Sequence, residues 1–142
     1  MTTTAIFQCG SCLDHYETRQ ATPGYCPACT TARIAQDNDR FRAVAALGCP
    51  CDIPGQVFFT PGVTEKGPEF LTLLCLTVAG FTDFNENNDP CRDHSFAAVE
   101  VCGTRVFWKI DLYDEKLEFG TSNPLDLTVT RRVLTMMLPS EY

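Results

Sequence analysis

The apolar and polar positions along the chain predict a sheet in its larger part. Residues 70–81 form a long apolar run rich in Leu and Thr, which is typical of a central strand buried on both faces. Residues 56–60 predict a short strand that ends at Pro61 and Gly62. The sheet is therefore expected to have residues 70–81 at its centre.

A hairpin and a helix are predicted to follow. In residues 105–113 the side chains alternate, so that Val106, Trp108 and Ile110 share one face, and residues 96–101 form a second strand. The turn falls at residues 102–104. Residues 130–138 place apolar side chains at i and i+4, which predicts a short helix that packs on the sheet.

Near the amino terminus the pattern predicts one longer helix over residues 32–47. Thr30 and Thr31 are suitable caps, and Gly48 is a suitable stop. Together these elements predict an α+β fold, in which packing helices accompany a small antiparallel sheet. We expect this domain to cover residues 32–142 and to follow a separate segment at residues 1–31.

Four cysteines predict that residues 1–31 form a zinc ribbon. Cys9 and Cys12 make one C-x-x-C pair, and Cys26 and Cys29 make another, with thirteen residues between Cys12 and Cys26. Four thiolates match the tetrahedral preference of Zn²⁺ and close its coordination sphere, so one structural ion is expected. The alternative is a set of free or redox-active thiols, but a thioredoxin-type site needs one such pair in a βαβ unit.

The remaining cysteines do not predict a second metal site. They occur singly or as one C-x-C pair, within apolar or loop segments, where cysteine usually behaves as a small apolar residue. Their roles are left open by the sequence: Cys49, Cys51, Cys75, Cys91 and Cys102.

Charge is concentrated after the predicted ribbon. The whole chain of 142 residues has a formal net charge of −7, and residues 46–142 carry 7 basic and 14 acidic residues. This disfavours a main domain that grips nucleic-acid phosphates, because such binding depends on Lys and Arg. Two acidic segments, residues 83–93 and 111–118, each contain four acidic residues and suggest one surface for a basic protein partner, although solvated acids also serve solubility. The candidate residues are Asp83, Glu86, Asp89, Asp93, Asp111 and Asp114.

A possible chemical site lies in one of these acidic segments. Asp89, Asp93 and His94 follow the 70–81 run, and a histidine beside carboxylates can act as a general base or bind a divalent metal. Asn and Asp followed by Pro are also ordinary turn residues. Because the chain has no P-loop, G-x-S-x-G or H-E-x-x-H motif, the sequence favours a non-catalytic protein.

Neither a membrane span nor a secretory signal is predicted. No run approaches the roughly 18 apolar residues that a spanning helix needs, and the first five residues lack the features of a signal peptide. We therefore expect a cytoplasmic protein.

Several stretches resemble an uncharacterised bacterial family, catalogued as domain of unknown function 3768. The resemblance covers residues 33–142 and is carried by residues 33–42, 88–90, 93–96, 107–114 and 132–142. The segment 91–93, Cys-Arg-Asp, departs from the usual family pattern. The family name implies no activity. Members of the family often lie on plasmids and integrated elements beside accessory genes.

Three functions are compatible with these observations. The first is a zinc-binding protein-interaction module that inhibits a nucleic-acid-binding defence protein of the host by imitating phosphate charge. The second is a small metal- or His-dependent hydrolase that uses Asp89, Asp93 and His94. The third is a regulator that binds nucleic acid through its ribbon.

Overall fold

A computed structural model describes residues 5–8, 15–18 and 25–142. In these residues a short pair of strands is followed in the chain by three α-helices and a four-stranded sheet. A turn of 3-10 helix, Pro139–Glu141, follows the last strand. The elements run in the order β1 (Ala5–Gln8), β2 (His15–Thr18), α1 (Pro27–Ala45), β3 (Gly55–Phe59), α2 (Pro61–Thr64), α3 (Pro68–Ala79), β4 (Phe96–Val101), β5 (Thr104–Tyr113) and β6 (Arg131–Met137).

The larger sheet is mixed. Its strand order is β3-β6-β5-β4, with β3 parallel to β6 and the other neighbours antiparallel. The predicted α+β class is confirmed, whereas the prediction of an antiparallel sheet is wrong at β3. Strand β3 pairs in parallel because the chain passes through α2, α3 and the β4–β5 hairpin before it returns as β6. Strands β1 and β2 form a separate antiparallel pair.

The apolar run at residues 70–81 is helical, and its prediction as a central strand is wrong. Pro68 stands at the start of α3, and Phe70, Leu74 and Val78 are buried at i, i+4 and i+8. The opposite side of the helix remains exposed at Leu73 and Leu76. A continuous apolar run does not distinguish a strand from a helix, but proline at the first helical position favours the helix.

The reverse error affects residues 130–138, which form β6 rather than a helix. This strand lies between β3 and β5, so both of its edges are hydrogen-bonded. Leu134 and Met136 are buried on one face of the sheet, and Val133 and Met137 are buried on the other. The apolar spacing that suggested a helix reflects a strand that is covered on both sides.

Helix α1 begins five residues before its predicted start. Pro27 occupies its first turn, and Thr30 and Thr31 lie inside the helix rather than at its cap. Their hydroxyls donate to the carbonyls of Tyr25 (3.3 Å) and Pro27 (3.0 Å). The helix therefore crosses the position between residues 31 and 32 at which the sequence suggested a domain boundary.

The predicted hairpin is confirmed. Strands β4 and β5 pair from Phe96↔Lys109 to Val101↔Thr104, and Cys102 and Gly103 form the turn with φ of 51° and 76°. Two successive positive φ angles match the right-handed twist of the strands. Strand β3 lies within one residue of its predicted position.

The core lies between the helices and one face of the larger sheet. Trp108 and Leu134 are fully buried at its centre, and Phe41 and Leu74 reach it from α1 and α3. The predicted inward orientation of Trp108 is confirmed. In the part of the chain that the structure describes, no helix has the length and hydropathy to cross a membrane.

The carboxyl end of the chain is fastened to the start of α2. Glu141 accepts hydrogen bonds from the Thr60 hydroxyl (2.6 Å) and from the N–H groups of Gly62 (3.0 Å) and Leu138 (3.1 Å). These bonds, with that of Thr60 the strongest, hold the pKa of Glu141 below its ordinary value.

The stability of this attachment is expected to depend on pH. A carboxyl group whose pKa is lowered by folding stabilises the native state above its unfolded pKa and loses this effect as pH falls through the folded pKa. Thermal melts of wild type and Glu141→Gln from pH 7 to pH 3 should therefore show a higher Tm for wild type at pH 7 and a difference that shrinks at low pH. A difference that stays constant with pH would show that the charge is not responsible.

Candidate functional site

The two acidic segments lie at the same end of the larger sheet. Strand β4 is antiparallel to β5, so the first residue of β4 and the last residue of β5 share one end, which we call the acidic end. The 80–95 loop enters β4 there, and the 114–130 loop leaves β5 there. Asp83 and Glu86 are exposed on the first loop, and Glu115 and Glu118 are exposed on the second.

The six acids selected from the sequence differ in their exposure. Asp83 and Glu86 are exposed, while Asp93, Asp111 and Asp114 are half-buried. Asp89 is only 7% exposed, so it lies beneath the acidic end rather than on its surface. The half-buried acids have nearby partners, since Asp93 accepts a bond from the Ser95 hydroxyl at 2.7 Å and Asp111 lies 3.1 Å from Lys109.

Beneath the acidic end, a buried amide joins three parts of the fold. Asn38 of α1 is fully buried, and its amide nitrogen donates to the backbone carbonyl of Asp93 at 2.8 Å. Its amide oxygen accepts from Arg132 Nε of β6, also at 2.8 Å. One side chain therefore ties the helix to the 80–95 loop and to the central strand.

The arginine of this pair is itself unusual. Arg132 is fully buried, and no described residue accepts a hydrogen bond from its Nη1 or Nη2. Burial lowers its pKa below the ordinary value, whereas the charge of Asp37 opposes this effect and that of Arg40 adds to it. An arginine side chain remains charged even so, because its ordinary pKa is far above neutral pH.

A second buried arginine, Arg42 of α1, bonds to the end of α3 and to the start of the 80–95 loop. Arg42 donates from Nε to the carbonyl of Val78 (3.0 Å) and from Nη2 to that of Phe81 (2.8 Å). Its guanidinium lies 4.7 Å from the ring centre of Trp108, and its Nη1 lies 3.0 Å from Asp39. Burial lowers the pKa of Arg42, and Asp39 partly restores it.

Asp39 also fixes the histidine that the sequence singled out. His94 Nδ1 lies 3.0 and 2.9 Å from the two carboxylate oxygens of Asp39. On the other side of the ring, His94 Nε2 lies 3.6 Å from Asp89 Oδ2. The structure thus brings Asp89 and His94 together as the sequence suggested, but the carboxylate of Asp93 turns away to Ser95.

The imidazole is constrained further by an aromatic ring and by its own backbone. Phe84 stacks on His94 with 3.8 Å between ring centres and 3° between planes. Both Arg92 and His94 have positive φ, 59° and 54°, which is uncommon for residues other than glycine. Such conformations persist only where the surrounding contacts enforce them, and the bonds to Asp39 and Asp89 do so here.

A pocket lies beside the ring. It has a volume of about 310 Å³ and is lined by Phe84, Asn85, Glu86, Asp89, Arg92 and His94. It is open to solvent, so a small polar ligand can reach the side chains of His94 and Asp89 without opening the core.

Sequence reasoning missed the helix side of this site. Asn38, Asp39 and Arg42 lie on α1, far from the acidic loop in the chain. The available signal was the polar character of the inward helix face, where Asp37, Asn38 and Arg42 are all buried. The sequence does not point to Arg132, because residues 130–138 are predicted as a helix, in which it has no fixed inward position.

The predicted zinc ligands are only partly within the described residues. Cys26 is the N-cap of α1 and Cys29 lies in its first turn, whereas Cys9 and Cys12 fall outside the described residues. Within the described part of the chain, the surroundings of His94 included, no group of three or more His, Cys, Asp or Glu side chains is placed to hold a metal ion.

The comparison with protein families identifies the larger part of the chain. The family described as "Protein of unknown function (DUF3768)" matches residues 59–141, more than half of the chain, and the chain belongs to this family. In the other two comparisons, no curated protein and no solved structure matches the chain. The match includes Asp89, His94 and Arg132 but begins after α1, so Asn38 and Asp39 lie outside it.

Replacing Asn38 is expected to destabilise the whole fold. In Asn38→Ala, Arg132 Nε and the Asp93 carbonyl lose their partners in a buried setting, which should cost about 2–4 kcal/mol. Chemical denaturation measures this loss. Asn87→Ala, at an exposed position of the 80–95 loop, is the control and should change stability by less than about 0.5 kcal/mol. Equal stability of the two variants would contradict a central role for Asn38.

Proposed function

We propose that this family member is a non-catalytic, zinc-binding protein-interaction module whose acidic end binds a basic protein. The observation that carries the proposal is the convergence of two acidic loops at one end of the sheet. Exposed carboxylates on adjacent loops raise the local negative potential and attract a basic surface over several ångströms.

The construction of the acidic end supports a binding role. Its exposed acids Asp83 and Glu86 lie on a loop that Asn38 and Arg42 hold against α1. A loop that is already ordered loses little conformational entropy when a partner binds. The exposed carboxylates are therefore presented at fixed positions, as specific recognition requires.

We further propose the class of partner. The resemblance to a family found on mobile elements suggests a cytoplasmic accessory protein that acts against host defence. Defence proteins such as restriction or CRISPR effectors bind nucleic acid through basic grooves. The exposed carboxylates of the acidic end would then occupy such a groove in place of phosphates.

The proposed zinc ion would stabilise the amino-terminal segment and its attachment to α1. Cys26 and Cys29 are one helical turn apart at the start of α1, which suits a pair of ligands on one ion. Zinc with four thiolates carries a charge of about −2, so the ribbon adds no cationic surface. This charge favours a structural or protein-docking role over direct binding of nucleic acid.

Removing exposed charge from the acidic end should remove partner binding. We compare Asp83→Asn/Glu86→Gln/Glu118→Gln with a control that neutralises three exposed acids elsewhere, Glu65→Gln/Glu69→Gln/Glu100→Gln. Tagged, zinc-loaded protein is used to capture its partner from nuclease-treated host extract, followed by mass spectrometry. A stoichiometric basic, nucleic-acid-binding protein should be captured by wild type and control, lost by the first variant and weakened by salt.

Two results would contradict this proposal. One is undiminished capture by the variant without Asp83, Glu86 and Glu118 charges. The other is a direct mobility shift of labelled DNA by the purified protein that weakens steeply with salt, which would favour the ribbon as a nucleic-acid-binding element.

Zinc binding is tested separately from partner binding. Elemental analysis of the purified protein should give one zinc ion per chain, and Cys26→Ser or Cys29→Ser should lose it because three thiolates leave the site incomplete. Cys102→Ser, which changes an exposed hairpin cysteine, is the control and should retain the ion. Zinc-free wild-type protein would rule out the ribbon.

A further inference from the structure

We propose that the pocket beside His94 binds one hydrated divalent metal ion, with His94 Nε2 and Asp89 Oδ2 as its two protein ligands. This site is separate from the four cysteines and does not depend on the proposed partner. Both ligands lie within the range that the family model matches.

The first argument is the tautomer that Asp39 imposes on His94. A carboxylate only accepts hydrogen bonds, so Nδ1 must carry the proton that bonds to Asp39 at 2.9 Å. In the neutral ring, Nε2 then has a free lone pair, and it lies 3.6 Å from Asp89 Oδ2 where both residues line the pocket. A carboxylate that holds the far nitrogen of a histidine is the usual outer partner of a metal-binding imidazole.

The second argument is the distance between the two ligand atoms. His94 Nε2 and Asp89 Oδ2 are 3.6 Å apart, which is too long for a hydrogen bond. Two ligands at about 2.1 Å from one ion are separated by roughly 3.0–3.5 Å, depending on the coordination geometry. A small closure of this gap is sufficient for both atoms to contact one ion.

The third argument is the buried carboxylate itself. Asp89 is 7% exposed, and among the described residues its Oδ1 accepts only the backbone N–H of His94, at 3.3 Å. No described residue donates a hydrogen bond to its Oδ2. A buried carboxylate requires compensation by a cation or by donors, and the pocket is the side from which an ion can provide it.

The site is also rigid before any ion binds. Phe84 fixes the plane of the imidazole, and Arg42 fixes Asp39 from behind. Such preorganisation lowers the cost of binding to a site that has only two protein ligands. Water would complete the coordination sphere, with Glu86 on the pocket wall within the same cavity.

Mn²⁺ is a suitable probe because it accepts mixed oxygen and nitrogen ligands and retains water, whereas thiolates prefer zinc. Mn²⁺ is titrated into the zinc-loaded, full-length protein, and free ion is measured by electron paramagnetic resonance. We expect one ion per chain, lost in Asp89→Asn and in His94→Gln. Asp39→Asn should weaken binding by roughly 10- to 100-fold, as loss of an outer partner does.

Asp93→Asn is the matched control, since it removes an acid one residue from His94 whose carboxylate bonds to Ser95 instead. It should retain the ion. In nuclear magnetic resonance spectra, Mn²⁺ should broaden the imidazole signals of His94, one of only two histidines in the chain. These spectra also show whether each variant remains folded.

Three outcomes would overturn the proposal. They are the absence of stoichiometric Mn²⁺ binding by folded wild type, binding that survives in folded Asp89→Asn and His94→Gln, and equal weakening by Asp93→Asn, which would indicate general attraction to acids. None of them bears on partner capture, which depends on exposed acids outside the two ligands.

Discussion

The arrangement of the fold around the acidic end depends on one buried contact, the hydrogen bond between Asn38 and Arg132. It connects the middle of α1 to the central strand β6, and the same amide holds the backbone of the 80–95 loop. Neither residue has access to solvent. Because the bond to Asn38 satisfies only Nε of this buried guanidinium, losing it would leave a further buried donor without a partner, and this favours the observed alignment of helix, strand and loop.

The sequence was informative where local and tertiary preferences agree. The β4–β5 hairpin alternates with period two and turns at Cys102 and Gly103, and both features are local. The two errors, at α3 and β6, have a common cause. In each segment a run of apolar residues has no clear period: β6 is buried on both faces, whereas α3 carries exposed apolar residues opposite its buried side. A run without a clear period does not distinguish a central strand from a helix packed on a sheet.

The position of Arg132 in the sequence argues against the helix predicted for residues 130–138. In a strand, Arg132, Leu134 and Met136 share one face, and this face packs against the helices. A charged residue in such a row predicts a buried polar partner on a neighbouring element. The candidate partner, Asn38, is 94 residues away in the chain, so it could be identified only from the tertiary structure.

The sequence also predicted only part of the site around His94. Asp89 and His94 are close in sequence, and their proximity in the fold follows from the turn between them. Asp39 contributes from α1, and its role depends on how the helix lies against the loop. The loop residues alone therefore suggest a site from the sequence, whereas Asp39, which orients the imidazole, belongs to helix α1 and is identified only from the structure.

The interior charges explain why the surface acids can define a binding face. Beneath the acidic end, Asp39 contacts Arg42, and Asp37 lies near Arg132 and Arg40. These contacts balance the charges of Asp37 and Asp39. The net negative potential at this end is then set by the exposed carboxylates of the two loops, while the buried ones hold the loop in place. A cation bound between His94 and Asp89 would further stabilise the 80–95 loop without covering Asp83 or Glu118. Metal binding and partner binding therefore use different residues of the same loop and can occur together.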